Sequence, residues 1–288
     1  MKLAPTMTVE SPSRRLWRAA ETIHAVTYFS EESRLAAEQV GFKGFWMGYF
    51  AFRSAPLGQV EPAVVEALFN NFAAERVSRA LPDAWSFATP EEALSARSQA
   101  AEQALERLGV QPPGERLLEV MQSALMSIAP HGRPLFAANR VLPSQGSPLR
   151  DLWQWCTTVR EHRGDSHVAS LAVLGINGLE ATVLLAVEQG IDLEMFEQSR
   201  GWHPDHIART VDRLVGIGLL ASRDQLSDSG AALRTEVEEM TDRQAYAVIS
   251  RLSQDYEAVI DVLETSAERI RSRGEIPFPN PMGLTEAT

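Results

Sequence analysis

Two groups of residues in this chain carry side chains suited to holding an anion or moving a proton. In the first, His24, Tyr28 and Glu31 or Glu32 recur at four- and three-residue spacing, which sets them on one face of a helix. In the second, Glu161, His162, Arg163, Asp165 and His167 crowd into one short segment. Between them, Trp46, Tyr49 and Arg53 follow one another at i, i+3 and i+7. Arginine takes a carboxylate or phosphate through paired N–H bonds, and histidine donates, accepts or carries a proton near neutral pH. His24, Tyr28, Tyr49, Arg53, His162, Arg163, Asp165 and His167 are therefore the candidate ligand-binding residues, and a small polar or anionic metabolite is the expected ligand. The competing reading is structural. Arg163 and Asp165 would pair with each other, while the histidines cap helix ends and bond to backbone. A metal held by His24, His162, Asp165 and His167 fits no standard ligand spacing. The chain holds no GxSxG, P-loop, GxGxxG, HExxH or paired CxxC motif. Neither metal nor cofactor is expected, and no catalytic residue is assigned.

These residues need helices to position them. From Arg14 to about Val40 the apolar residues Leu16, Ala19, Ala20, Ile23 and Val26 recur at helical spacing. An aromatic stretch between glycines follows and stops at Pro56. Gly41, Gly44 and Gly48 within it lack a preceding strand and read as close helix packing. One or two short helices are expected over 61–81, an alanine-rich helix over 90–109 opening on Thr89-Pro90-Glu91-Glu92, and another over 115–128. A helix from Leu149 to His162 then reaches a helix–loop–helix junction at the second polar group. No internal repeat is evident. Cys156, the single cysteine, sits in the helical stretch LWQWCTTV and reads as a buried thiol.

From Gly178 the order of elements is more specific. GLEATVLLAVEQG and IDLEMFEQSRGW read as two short helices, and HPDHIARTVDRLVGIGLL as a longer one with Ile207, Val211, Leu214 and Val215 on its apolar face. A small hairpin and a helix capped by Ser227 or Ser229 complete the unit. It resembles the winged helix of MarR-type regulators, in which the third helix enters the major groove and the hairpin touches phosphates. That resemblance makes His203, His206, Arg209, Arg213 and Arg223 the candidate DNA-binding residues. Charge weighs against them. The whole chain carries a formal −11, and between Leu171 and Gly230 nine acids face four arginines.

Four stretches, HAVTYFSEE (24–32), GYFAFRSAPLGQV (48–60), RALPDAW (79–85) and REHRGDSHVAS (160–170), extend the likeness over most of the chain. They resemble an actinobacterial helix-turn-helix family, which implies a helical N-terminal domain joined to the winged helix. The fold expected is mainly α, an N-terminal helical bundle plus a C-terminal winged helix-turn-helix with a small β-hairpin. Its divisions are a disordered tail over 1–13, a helical domain over 14–145 and a winged-helix domain with C-terminal helices over 146–288. Apolar positions from Leu233 to Ile270 suffice for two long helices, whose need of a partner surface prompts the expectation of a homodimer. No apolar run approaches the length of a membrane span, and no signal-peptide pattern opens the chain, so a cytoplasmic location is expected. The function expected is ligand-responsive transcriptional regulation through DNA, with a small-molecule enzyme on a repurposed winged-helix scaffold as the alternative.

Overall fold

A computed structural model describes residues 10–144, 146–278, 280 and 282–284. The expected tail over 1–13 lies mostly outside the described residues, as does Gln145 at the expected domain boundary. Ser11 to Ser13 are not tail. Ser11 accepts from Arg14 N at 3.1 Å and caps α1 (Pro12–His24), while Ser13 Oγ donates to Asp242 O at 2.9 Å.

The helical run from Arg14 to Val40 is three pieces: α1, α2 (Val26–Phe29) and α3 (Glu31–Gln39). Ser30 makes the break. Its extended backbone and its hydroxyl, which accepts from Ser33 N at 3.2 Å, start a new helix with Glu31 and Glu32 in the first turn. α4 (Gly44–Ser54), α5 (Pro62–Leu68) and α6 (Ala74–Ser78) follow. α7 (Pro90–Arg107) opens on a reciprocal capping box between Thr89 and Glu92. α8 (Glu115–Met126) and α9 (Pro134–Arg140) then lead into α10 (Pro148–Val173).

The second half holds α11 (Gly178–Gln189), α12 (Glu194–Arg200) and α13 (Pro204–Gly216). β1 (Leu220–Ser222) and β2 (Gln225–Leu226) pair antiparallel with Leu220 opposite Leu226, and α14 (Asp228–Leu252) and α15 (Tyr256–Ser272) close the chain. Of the two serines offered as cap for α14, Ser227 serves, accepting from Gly230 N at 3.0 Å. The fold is thus mainly α with one small hairpin. Among the described residues no single helix is long and apolar enough to cross a membrane.

Three apolar clusters organise it. The largest joins α1, α7, α8, α10, α14 and α15 through Leu16, Ile23, Leu105, Met121, Trp153, Leu252 and Leu263. Phe50, Phe69, Phe72 and Leu81 form a second, around α4 to α6. The third belongs to the helix-turn-helix unit, where Val183 meets Ile207, Val211 and Leu214 at i, i+4 and i+7 of α13. Each such aliphatic burial is worth about 2 kcal/mol. Val215, expected on that face, is exposed. The apolar faces of α14 and α15, from Val237 to Ile270, are buried on α1, α8 and α10 of the same chain, so the surface that prompted the homodimer is supplied internally. Cys156 is fully buried, and burial pushes its thiol up.

Candidate functional site

The sequence places a junction at His162, but α10 runs through it unbroken to Val173. Gly164 has no positive φ and stays within the helix, and a Cβ placed there would meet Glu161 Oε2 only at ordinary contact distance, so no close approach calls for a glycine at this position. Continuity decides which polar residues meet. At 100° per residue, Arg160, Arg163, Gly164, His167 and Leu171 share one face of α10, and His162, Asp165 and Ser166 another.

The first face closes a cavity of about 380 Å³ at the seam between the two halves. α1 and α2 give it Arg14, Trp17, Glu21 and Tyr28; α4 gives Phe45, Trp46, Tyr49 and Arg53; the loop after α5 gives Asn70 and Asn71. From the other side come Thr182 of α11, Arg200 of α12 and Arg234 and Glu238 of α14. Five of the eight expected ligand residues, Tyr28, Tyr49, Arg53, Arg163 and His167, line this one space.

Its electrostatics are those of paired, desolvated ions. Arg53 grips Glu161 through Nε and Nη2 at 2.9 and 3.1 Å, donates to Tyr49 Oη at 3.2 Å and lies 3.8 Å over the Phe69 ring. Arg160 bridges Glu161 and Glu21 at 2.8 and 3.2 Å. Burial alone would raise the Glu161 carboxyl, but Arg160 and Arg53 hold it at about 2. Burial likewise opposes ionisation of Tyr49, yet Arg53, Arg200 and Arg160 bring its phenol below the ordinary value. On the far wall Arg163 donates to Glu238 and Asp242 at 2.8 and 2.9 Å, and its guanidinium stacks 4.9 Å from Trp17. The expected Arg163–Asp165 pair is not formed, since the two residues leave α10 on different faces. His167 Nδ1 meets Thr241 Oγ1 at 3.3 Å, and burial lowers its pKa to about 4, so the ring is neutral at pH 7.

Three expected ligand residues are elsewhere. His24 is buried behind the cavity, stacked on Trp153, with Nδ1 on Thr157 Oγ1 at 2.9 Å and Nε2 on Tyr28 Oη at 2.8 Å. It orients Tyr28 without reaching the main cavity. His162 is fully buried in a T-shaped contact with the Phe136 ring, and Asp165 accepts from Phe136 N at 2.9 Å at the start of α9. Among the described residues no group of three His, Cys, Asp or Glu side chains is placed to hold a metal. Arg160 was legible, since it shares helical spacing with Arg163 and His167. Arg14, Arg200, Arg234 and Glu238 carry no local signal, because tertiary packing alone brings them in.

The five candidate DNA residues are all exposed. His203 caps α13 and accepts from Asp205 N at 3.2 Å. His206, Arg209 and Arg213 line a groove of about 730 Å³ opposite Glu66 and Asn70. Arg213 is ion-paired with Glu180, and Arg223 with Asp212, so acids of the unit already neutralise two of its exposed arginines.

Compared with known proteins, residues 13–277 match the model of a helix-turn-helix family. No curated protein and no solved structure matches.

Proposed function

The chain belongs to this helix-turn-helix family, and on that premise we propose that it is a ligand-responsive winged-helix regulator. α13 contacts DNA, and the seam cavity takes a small polar or anionic metabolite. The observation that carries this reading is the double placement of Arg200. The residue lines the cavity with its guanidinium 4.5 Å over the Phe72 ring, its carbonyl accepts from Ala73 N at 3.0 Å, and the next residues, Gly201 to His203, turn directly into α13. A ligand that moves Arg200 therefore pulls on the turn that aims the DNA-contacting helix. Six arginines stand on the wall, and Arg14, Arg53, Arg160, Arg163 and Arg234 are ion-paired, so an anionic group on the ligand would share their guanidinium groups with Glu21, Glu161, Glu188, Glu238 and Asp242.

Titration of the full chain against upstream duplex DNA at several salt concentrations tests the DNA half. Arg209→Ala should weaken binding for all sequences and lower the salt slope by about one, as expected for one lost phosphate contact. Arg213→Ala should do less, because Glu180 already neutralises that arginine. Salt-independent binding, or no response to either substitution, refutes the reading.

A small-molecule enzyme on this scaffold is the second reading, favoured by Tyr49. Its phenol lies on the cavity wall within 3.2 Å of Arg53, with its pKa lowered by the arginines, as suits a proton acceptor. On that reading Tyr49→Phe abolishes turnover and α13 substitutions do not.

A further inference from the structure

The two halves repeat one order of elements. α3 ends at Gln39 with Val40 as its C-cap, and the chain turns through Gly41-Phe42-Lys43-Gly44 into α4; α10 ends at Val173 with Leu174 as its C-cap and turns through Gly175-Ile176-Asn177-Gly178 into α11. Both turns make the glycine C-cap bonds that also close α7, α13 and α15, and what sets these two apart is the second glycine three residues on, Gly44 and Gly178. Gly41 N donates to Glu38 O at 3.0 Å and Phe42 N to Ala37 O at 2.9 Å; Gly175 N donates to Ala172 O at 3.2 Å and Ile176 N to Leu171 O at 3.0 Å. Gly41 and Gly175 have φ of 90° and 69°. Beyond the turns α5, α6, α7 and α8 follow α4 as α12, α13, α14 and α15 follow α11.

The halves also pack reciprocally. α10, which precedes the second turn, is the counterpart of α1, α2 and α3 taken together: α1 lies along α14 and α15, and α10 lies along α7 and α8. The turns before α6 and α13 meet in the same manner, Ala73 N donating to Arg200 O at 3.0 Å and Trp202 Nε1 to Asn71 O at 2.9 Å. Such exchange, in which element i of one half meets j of the other and j meets i, is the signature of a twofold dimer. The copies have diverged where DNA would be read. α13 has 13 residues and a hairpin after it; α6 has 5, with one turn of 3-10 helix at Asp83–Ser86 in the hairpin's place. Arg76 of α6 is committed to the seam, donating to Gln198 O at 3.0 Å with its guanidinium 4.7 Å over Trp46.

We propose that the chain is a fused pseudo-dimer which acts as a single copy and reads one asymmetric half-site through α13, its first half having become the other wall of the seam cavity. The half-site part rests on the DNA-binding reading above; the fusion does not. A symmetric helix-turn-helix dimer reads two inverted half-sites one helical turn apart. One reading helix on a self-contained pseudo-dimer has no second half-site to reach.

Light scattering of the full chain at micromolar concentration, followed by selection from random duplex DNA, tests both parts. The expected mass is that of one chain, 31.8 kDa. The expected motif lacks dyad symmetry, binds one protein per site, and gains no more than about twofold from a second, inverted copy, the statistical factor for two independent sites. A species of twice the mass, or an inverted-repeat motif whose second half adds tenfold or more, overturns the proposal. If selection yields no motif, DNA reading fails and takes the half-site with it. The mass then decides the fusion alone, a dimer refuting it and a monomer supporting it.

Discussion

Arg53 of α4 and Glu161 of α10 form a two-bond pair across the seam, at 2.9 and 3.1 Å, with side-chain exposures of 10% and 1%. Glu161 also serves Arg160, which Glu21 shares, so one carboxylate links two buried guanidinium groups. Glu161→Gln leaves both cations facing each other without it. The expected loss is about 3–5 kcal/mol, or a fall in Tm of the order of 10 °C for a chain of this size. Arg53→Met leaves Glu161 paired with Arg160 and should cost less than half as much. Thermal melts of the two variants give the order, and equal losses would contradict the shared-carboxylate geometry.

His162 and Asp165 both pack on Phe136, and their pKa values move in opposite directions. Among the described residues neither ring nitrogen of His162 has a partner, and burial drops its pKa from 6.5 to about 3. The unfolded chain therefore takes this proton first, and the stability involved is lost as pH falls from about 6.5 towards 3. Burial raises Asp165 from 3.8 to about 7, so its contribution is present below 3.8 and lost as pH rises through 7. His162→Leu should flatten the acid limb of the stability curve, and Asp165→Asn the neutral-to-alkaline limb, each by roughly 1–3 kcal/mol. Urea unfolding at pH 4, 6 and 8 checks this. A His162→Leu chain no more stable than the parent at pH 4 would mean that the buried ring finds a partner.

Helical periodicity made most elements legible, and the cluster of Tyr28, Tyr49, Arg53, Arg163 and His167 with them, because residues on one helix face share an environment whatever packs there. His162 and Asp165 were grouped with these residues by proximity in sequence, and the angular step of a continuous helix separates them. The junction expected at the second polar group does not form; the one glycine there, Gly164, costs a helix only about 1 kcal/mol, which the core contacts of Trp153, Val159 and Leu171 outweigh. The repeat was hidden for a different reason. Its surviving sequence trace is the turn Gly-x-x-Gly at 41–44 and 175–178, where Gly41, Gly44 and Gly175 need a positive φ and Gly178 lies too close to the Asn70 carbonyl for a side chain.

Gly178 and Gly216 should respond to the same substitution with opposite signs. Gly178 opens α11 against the loop after α5, and a Cβ there would stand 1.6 Å from Asn70 O. The neighbour is backbone, held in place by the Trp202 Nε1 bond to Asn71 O one residue on, so it has little room to yield. Gly178→Ala must push the halves apart at the seam, at a cost of about 1–3 kcal/mol. Gly216, the last residue of α13, faces open space and has no positive φ, so Gly216→Ala should stabilise the chain by about 0.5–1 kcal/mol through reduced freedom of the unfolded state. The readout is thermal melting of both variants beside the parent. Because the strained contact belongs to the seam, Gly178→Ala should also weaken any coupling between cavity and α13, whereas Gly216→Ala leaves it intact. Equal and small shifts for the two would mean that the loop after α5 is not clamped against α11, and the mechanical link through Arg200 would lose its footing.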